Sequence, residues 1–284
     1  MELTTYLDAA TFLDRAQEPL ERREPVNSLL LGVSLRMRDY PEYVEAPPYL
    51  ATVDDGVRLV AAAMMTPPHQ LVVASDQPDA ERAFALLAAD LHRHGWAPPG
   101  VNGPTALSSA FAAAWSAATG EGYAVKMQLR TFALRTVIQP PLPLGHLRVA
   151  TEDDLDLLAR WLGAFGQEAL ATDETTERNR TVAERGIRHG NYFLWDDGGP
   201  VALAAKTRPT RHGITVGPVY TPPEERNKGY ATALVAALSQ QLLDHGTHFC
   251  TLFTDRANPT SNSIYQKIGY QPVCDFTEYQ FLPP

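Results

Sequence analysis

The chain has 284 residues, 44% hydrophobic and 20% charged, which is enough to bury a sizeable core and suits two domains at roughly 100–200 residues each. That balance excludes disorder, collagen and coiled coil. With 24 Lys and Arg against 33 Asp and Glu, the formal charge is −9, which repels phosphate backbones and argues against a nucleic-acid partner.

The opening residues, MELTTYLDAATFLD, carry no basic stretch ahead of an apolar one, so no signal peptide is expected. The apolar runs at 28–35 and 57–65 fall short of the roughly 20 residues of a membrane span, and no membrane partner is expected. Tyr49 to Gly56 reads as a strand ending in Asp-Asp-Gly. Leu71–Ala74 reads as a further strand, and Ala80, Ala83, Phe84, Leu87 and Leu91 form the stripe of an amphipathic helix before His94-Gly95. His92 and His94 point to different faces of a helical pattern and no HExxH occurs, so no metal site is expected. Residues 139–145, QPPLPLG, read as a linker, which divides the chain into domains 1–138 and 146–284. The two cysteines, Cys250 and Cys274, make neither a disulfide framework nor a zinc site and fit a reducing cytoplasm.

The second half repeats the first. Leu147 to Leu162 reads as a strand, a Thr151 cap with Asp154 three residues on, and a helical stripe at Leu155, Leu158 and Leu162. Tyr192 to Gly198 ends in Asp-Asp-Gly again, and Ala231, Leu234, Val235, Leu238 and Leu242 repeat the earlier stripe before His245-Gly246. The copies differ between strand and helix, where the first has only Ser75–Asp79 and the second has Pro218 through Tyr230. Their activities are expected to differ there.

Ile214–Thr221 is β-branched and apolar and reads as a strand, and the helical pattern begins near Lys228. A helix starting at such a turn leaves four N–H groups without internal partners and about half a positive charge at its end, an anion seat. Gly229 removes a Cβ there, Ala231 keeps the next turn small, and Arg226 and Lys228 add charge. Neither GxxxxGK[ST] nor GxGxxG is present; the residues are Arg226-Asn-Lys-Gly229-Tyr-Ala231. Phe249–Thr254 reads as a buried strand, and Thr260 or Ser261 is expected to cap a short helix ending at Gly269, with Asn262 and Tyr265 on one face.

Arg226 to Ala231 resembles the [QR]-x-x-G-x-[GA] pyrophosphate motif of the GNAT superfamily of N-acetyltransferases. Asn258 to Tyr270 resembles that superfamily's N-P-x-S-N-x-x-Y-x-x-x-G-[FY] stretch. The resemblance implies an α+β fold: two tandem GNAT-like domains, each a mixed, mostly antiparallel twisted sheet flanked by helices. It implies acetyl-CoA as co-substrate and no metal. Backbone of Val219, Tyr220 and Thr221 would take the pantetheine arm, with an oxyanion donor near Val219 or Tyr220. Arg226, Asn227, Lys228, Gly229, Tyr230 and Ala231 would take the pyrophosphate, and Asn258 and Asn262 would make polar contacts to the cofactor. Tyr265 would protonate the departing thiolate, a suitable exchange for a phenol of pKa about 10.

The implied reaction moves an acetyl group to a primary amine by direct attack in a ternary complex. The acceptor is a small-molecule or peptide amine, and a homodimer is left open. Glu168, Asp173 or Glu174 could serve as general base, as could water, and an amine already deprotonated needs none. Trp161, Phe165, Tyr192, Trp195 and Tyr220 are candidate walls, and the negative net charge favours a cationic amine. The first half reads as a degenerate copy that does not hold CoA, with Pro78 and Asp79 in place of the anion seat. A non-catalytic acyl-CoA-binding regulatory protein is the alternative; an aminoacyl transferase using charged tRNA is argued against by the acidic balance.

Overall fold

The computed structural model describes residues 1–44, 46–78, 80–172 and 174–283. The first half runs β1 (Glu2–Thr5), α1 (Ala9–Glu21), α2 (Glu24–Asp39), β2 (Tyr49–Asp54), β3 (Leu59–Met65), β4 (Leu71–Ala74), α3 (Ala80–Arg93), β5 (Gly100–Pro104), α4 (Thr105–Thr119) and β6 (Gly122–Leu134). The second runs β7 (His146–Val149), α5 (Leu155–Phe165), α6 (Thr176–Arg188), β8 (Tyr192–Asp196), β9 (Pro200–Thr207), β10 (Gly213–Tyr220), α7 (Tyr230–Asp244), β11 (Phe249–Asp255), α8 (Pro259–Lys267) and β12 (Gln271–Leu282). The same order of strands and helices therefore occurs twice, as the repeated Asp-Asp-Gly hairpins and helical stripes imply. Residues 135–145, which contain the expected linker, form neither helix nor strand.

All strands join one twelve-stranded sheet in the order β1-β2-β3-β4-β5-β12-β6-β11-β10-β9-β8-β7. Each half contributes one parallel pair, β4 with β5 and β10 with β11, and the remaining pairs are antiparallel. The last strands are exchanged between the halves. Strand β6 lies against β11, and β12 lies against β5, so each half's sheet is completed by the other's final strand. The two exchanged strands also pair with one another, from Gln271 opposite Ala133 to Leu282 opposite Gly122.

Side chains alternate across a strand, so β9 sends Ala202 and Ala204 to a core under α7, and Leu203 and Ala205 to one under α5 and α6. The α7 core also takes Phe132 and Leu134 from the exchanged β6, Cys250 and Leu252 from β11, and Tyr265. In the first half, α3 and α4 cover one face and α1 with α2 the other.

The Thr151–Asp154 pair is a capping box, with Thr151 donating its N–H to Asp154 Oδ2 at 2.8 Å. Arg148 adds two hydrogen bonds, at 2.7 and 2.8 Å. Those Arg148 bonds, against the opposing cost of burial, hold the Asp154 carboxyl below its ordinary value. Its stabilisation is thus present above the unfolded pKa and lost as pH falls through the lower folded one. Asp154→Ala is expected to cost roughly 2 kcal/mol in urea unfolding near neutrality, less than a fully buried pair because Arg148 is partly exposed, and the deficit should shrink in acid.

Helix α8 corrects one expectation. Its cap is Asn258, whose side chain accepts from Ser261 N at 3.0 Å; Thr260 and Ser261 lie inside the helix. Pro259 occupies the first turn, where its fixed φ and missing N–H cost nothing.

Candidate functional site

Strands β10 and β11 pair in parallel at Gly213/Phe249, Ile214/Cys250 and Thr215/Thr251, and there the ladder stops. Strand β11 stays bonded to β6 as far as Asp255, while the register of β10 against β9 shifts between Val216 and Val219. A glycine and a proline, Gly217 and Pro218, occupy the shift, where one lacks a side chain and the other an N–H. The two strands therefore part beyond Thr215 and Thr251, and the inner edge of 216–220 has no neighbouring strand there.

The chain leaves this cleft for α7 through Asn227 and Gly229, whose φ values are 64° and 87°. Gly229 is the N-cap residue of α7, and no side chain caps the helix. A Cβ at Gly229 would meet only Pro143 Cδ, at 4.0 Å. The left-handed backbone favours glycine here, and glycine leaves the positive end of the helix dipole open.

Both cations of the turn are engaged. Arg226 donates to Glu168 Oε2 at 2.6 Å and to the Thr221 carbonyl at 2.9 Å, and Lys228 donates to Glu225 Oε2 at 3.0 Å. Glu168 stands on the turn Gly166–Leu170 that extends α5, and it also accepts from the Tyr220 hydroxyl at 3.2 Å. Burial, and next the Glu168 charge, raise the Tyr220 pKa.

The other predicted residues are divided in their use. The Tyr230 hydroxyl donates to Asp197 at 2.7 Å and ties α7 to the β8–β9 hairpin. Asn258 is occupied as the α8 cap. Asn262 donates its amide to the carbonyls of Asp255, Arg256 and Asn258, at 3.2, 3.4 and 2.8 Å. Its Oδ1 is buried without a partner, as is Thr221 Oγ1 at the end of β10. An amide oxygen that can only accept and a hydroxyl that can accept or donate, both without partners, fit a ligand that brings hydrogen-bonding groups.

Tyr265 is buried, with its ring 6.5 Å from that of Phe132 and 6.0 Å from that of Tyr270. Burial pushes its pKa up to about 12. The nearby buried Cys250 thiol is pushed up to about 12 by the same cause. The phenol thus stays protonated at neutral pH.

Among the candidate walls, Trp161 and Tyr220 stand with rings 6.2 Å apart on the α5 and α6 face, with Tyr192 and Phe165 in the same cluster. Trp195 does not join them. It belongs to the α7 core, because β8 alternates, and its indole donates to the Leu144 carbonyl. Of the carboxylates named as bases, Glu174 pairs with Arg178 at 3.1 Å, and Asp173 lies outside the described residues.

The first half lacks these features. Strands β4 and β5 pair at Leu71/Val101 and Val72/Asn102, and beyond them a Cβ at Gly103 would lie 2.9 Å from the Val73 carbonyl. The strands are thus still in contact one residue past their last paired rung. Trp115 is turned to Glu121 at 3.0 Å, with no phenol in its place. Asp79 lies outside the described residues.

Residues 197–280 match the family model described as FR47-like protein. Among solved structures, the chain is similar to a GCN5-related N-acetyltransferase from Sphaerobacter thermophilus at 17% identity and TM-score 0.63, over 99% of this chain and 96% of that one. It is similar to a GNAT-family acetyltransferase from Colwellia psychrerythraea at 13% identity and TM-score 0.59, over 99% of both chains. A tandem GNAT protein from the clavulanic acid biosynthesis pathway aligns over 100% of this chain and 99% of its own, at 14% identity and TM-score 0.56. No curated protein matches the sequence. These likenesses establish the fold over the whole length and a family pattern over the region that holds the cleft. No helix among the described residues is long and apolar enough to cross a membrane.

Proposed function

We propose that this chain, which has the tandem GNAT fold and the FR47-like pattern over 197–280, is an N-acetyltransferase that uses acetyl-CoA to acetylate a primary amine by direct attack in a ternary complex. The observation that carries the reading is the parting of β10 from β11 immediately before an uncapped helix N-terminus. Bound acetyl-CoA would supply an activated thioester. Main-chain amides of residues 226–231 would grip its diphosphate, and the unpaired edge of Val219, Tyr220 and Thr221 would take the amides of its arm. The unpartnered Thr221 hydroxyl and Asn262 Oδ1 would hydrogen-bond to the same ligand. An N–H near Val219 or Tyr220 would face the negative charge that develops on the carbonyl oxygen.

Tyr265 is the group that holds the proton for the leaving thiolate. A phenol near 12 is a poor acid toward a thiolate in water at roughly 8.5, a transfer uphill by about 5 kcal/mol. Burial raises both partners, and Cys250 is a thiol in this same core at about 12. Proton transfer from Tyr265 therefore requires that the bound thiolate also be desolvated, which raises its basicity toward that of the phenol.

Calorimetric titration with CoA and a thiol-release assay with acetyl-CoA across an amine panel test the reading. Sub-millimolar CoA binding at one site in the second half, with turnover of at least one amine, is expected. Absence of CoA binding overturns it, and binding with no turnover of any amine leaves the regulatory alternative. A crystal grown in excess acetyl-CoA should show one molecule per chain, none of it in the first half.

Because Glu168 competes with the diphosphate for Arg226, Glu168→Gln should tighten CoA binding by about two- to fivefold, the range of an exposed ion pair of up to ~1 kcal/mol. Calorimetry should show the gain diminishing at high salt.

A further inference from the structure

Helix α2 of the first half passes over the second half's sheet where β9 ends. A Cβ at Gly32 would lie 2.6 Å from Arg208 Cβ and 3.0 Å from its carbonyl oxygen, so glycine sets this approach. Arg208 adopts a φ of 46°, a left-handed backbone that a non-glycine residue holds only where its surroundings impose it. Its guanidinium lies over the Phe253 ring, 5.9 Å from the centroid.

Phe253 locates this group. Cys250 and Leu252 point into the α7 core, so by alternation Thr251 and Phe253 face the opposite side. Thr251 is the last β11 residue to pair with β10, and Phe253 is two residues further, inside the parted region. The Arg208 guanidinium therefore stands over the mouth of the cleft on the side away from α7, where an acceptor would approach.

Arg36 stands four residues after Gly32 on α2, on the same helix face. It is the charge that acts on Arg208, whose pKa is lowered to about 10 by burial first and by Arg36 second. Among the described residues, neither guanidinium has a carboxylate or hydrogen-bond partner, and Arg208 Nε is buried without one. Burial lowers the pKa of both guanidiniums, and Arg185 on α6 adds a third positive charge beside Arg36, a costly gathering of like charges unless an anion completes it. The arginine fork matches carboxylate and phosphate oxygens in two-point contact.

We propose that the acceptor is an amine that also carries an oxyanion, a carboxylate or a phosphate, held by Arg36 and Arg208 over Phe253. The proposal rests on the acetyl-transfer reading for the amine and on the arginine pair for the anion. The net charge of −9 favours the opposite sign of substrate, but beyond about 8 Å at physiological salt that field is screened, and the local pair decides.

The test compares matched amines by calorimetry, β-alanine with β-alaninamide and 2-aminoethyl phosphate with ethanolamine, on the full chain with and without CoA. The acidic member of at least one pair should bind about tenfold tighter or more than its partner, which carries the same ammonium without the anion. The pair that shows this tells carboxylate from phosphate. Arg36→Gln, at an exposed helix position, should cut the preference to about threefold or less without changing CoA affinity, and Arg208→Gln should do the same where its melting curve shows it folded. Equal or reversed binding within both pairs, or a preference that survives Arg36→Gln, overturns the proposal. A failure to bind CoA would overturn the transferase reading alone, because the amine pairs are also measured without it.

Discussion

Gly229→Asp should abolish measurable CoA binding while the protein stays folded. The substitution sets a carboxylate at the N-cap of α7, where only Pro143 now approaches. Two unit charges about 4 Å apart at an effective dielectric near 20 repel by about 4 kcal/mol. After screening by salt, a loss of at least about a hundredfold in affinity is expected. The fold should tolerate the change, because the roughly 1–2 kcal/mol penalty for a side chain in left-handed backbone is offset in part by the attraction of a carboxylate to the helix N-terminus. Calorimetry against CoA and a melting curve, read together, check this. Gly229→Ala, which adds the methyl without the charge, should lose far less affinity. If the aspartate variant binds CoA as the native protein does, the anion seat is elsewhere.

Tyr265→Phe should lower kcat by about 10²- to 10⁴-fold, the usual contribution of a positioned acid, with CoA affinity changed by no more than about twofold. The ring keeps its contacts with Phe132 and Tyr270, so stability should hold. With the phenol near 12, its ionisation cannot produce an alkaline fall in rate below about pH 10. A rate lost between pH 8 and 9 would therefore point to another group. An unchanged kcat in the variant would remove Tyr265 from the chemistry.

The repeat, the cleft-forming strand and the α7 turn were legible because each rests on a local pattern. Ile214–Thr221 predicts a strand that the structure sets at Gly213–Tyr220, and the Asp-Asp-Gly hairpins sit at matching places in the two halves. The α8 cap was within reach, since Pro259 marks the first helical turn and so points to Asn258. Three features were beyond it. The Arg226–Glu168 pair joins residues 58 apart through a polar segment with no periodicity. Arg36 and Arg208 meet only because α2 of one half crosses onto the other, and Gly32 alone hints at a close approach. Strands β6 and β12 have similar lengths, 13 and 12 residues, so the pattern of either suits both positions in the sheet.

The crossed final strands bear on how the protein is made. On a ribosome, β1 to β5 emerge early, yet the edge of β5 has to wait for β12, whose Thr277 pairs with Gly103 and bonds to Thr105, 172 residues before it. Meanwhile β6, already synthesised, can occupy that vacant edge and must be displaced before the finished arrangement forms. Refolding of the whole chain should accordingly show a slow late phase, and two pieces severed at 139–145 should reassemble when mixed, since each holds the other's missing rung.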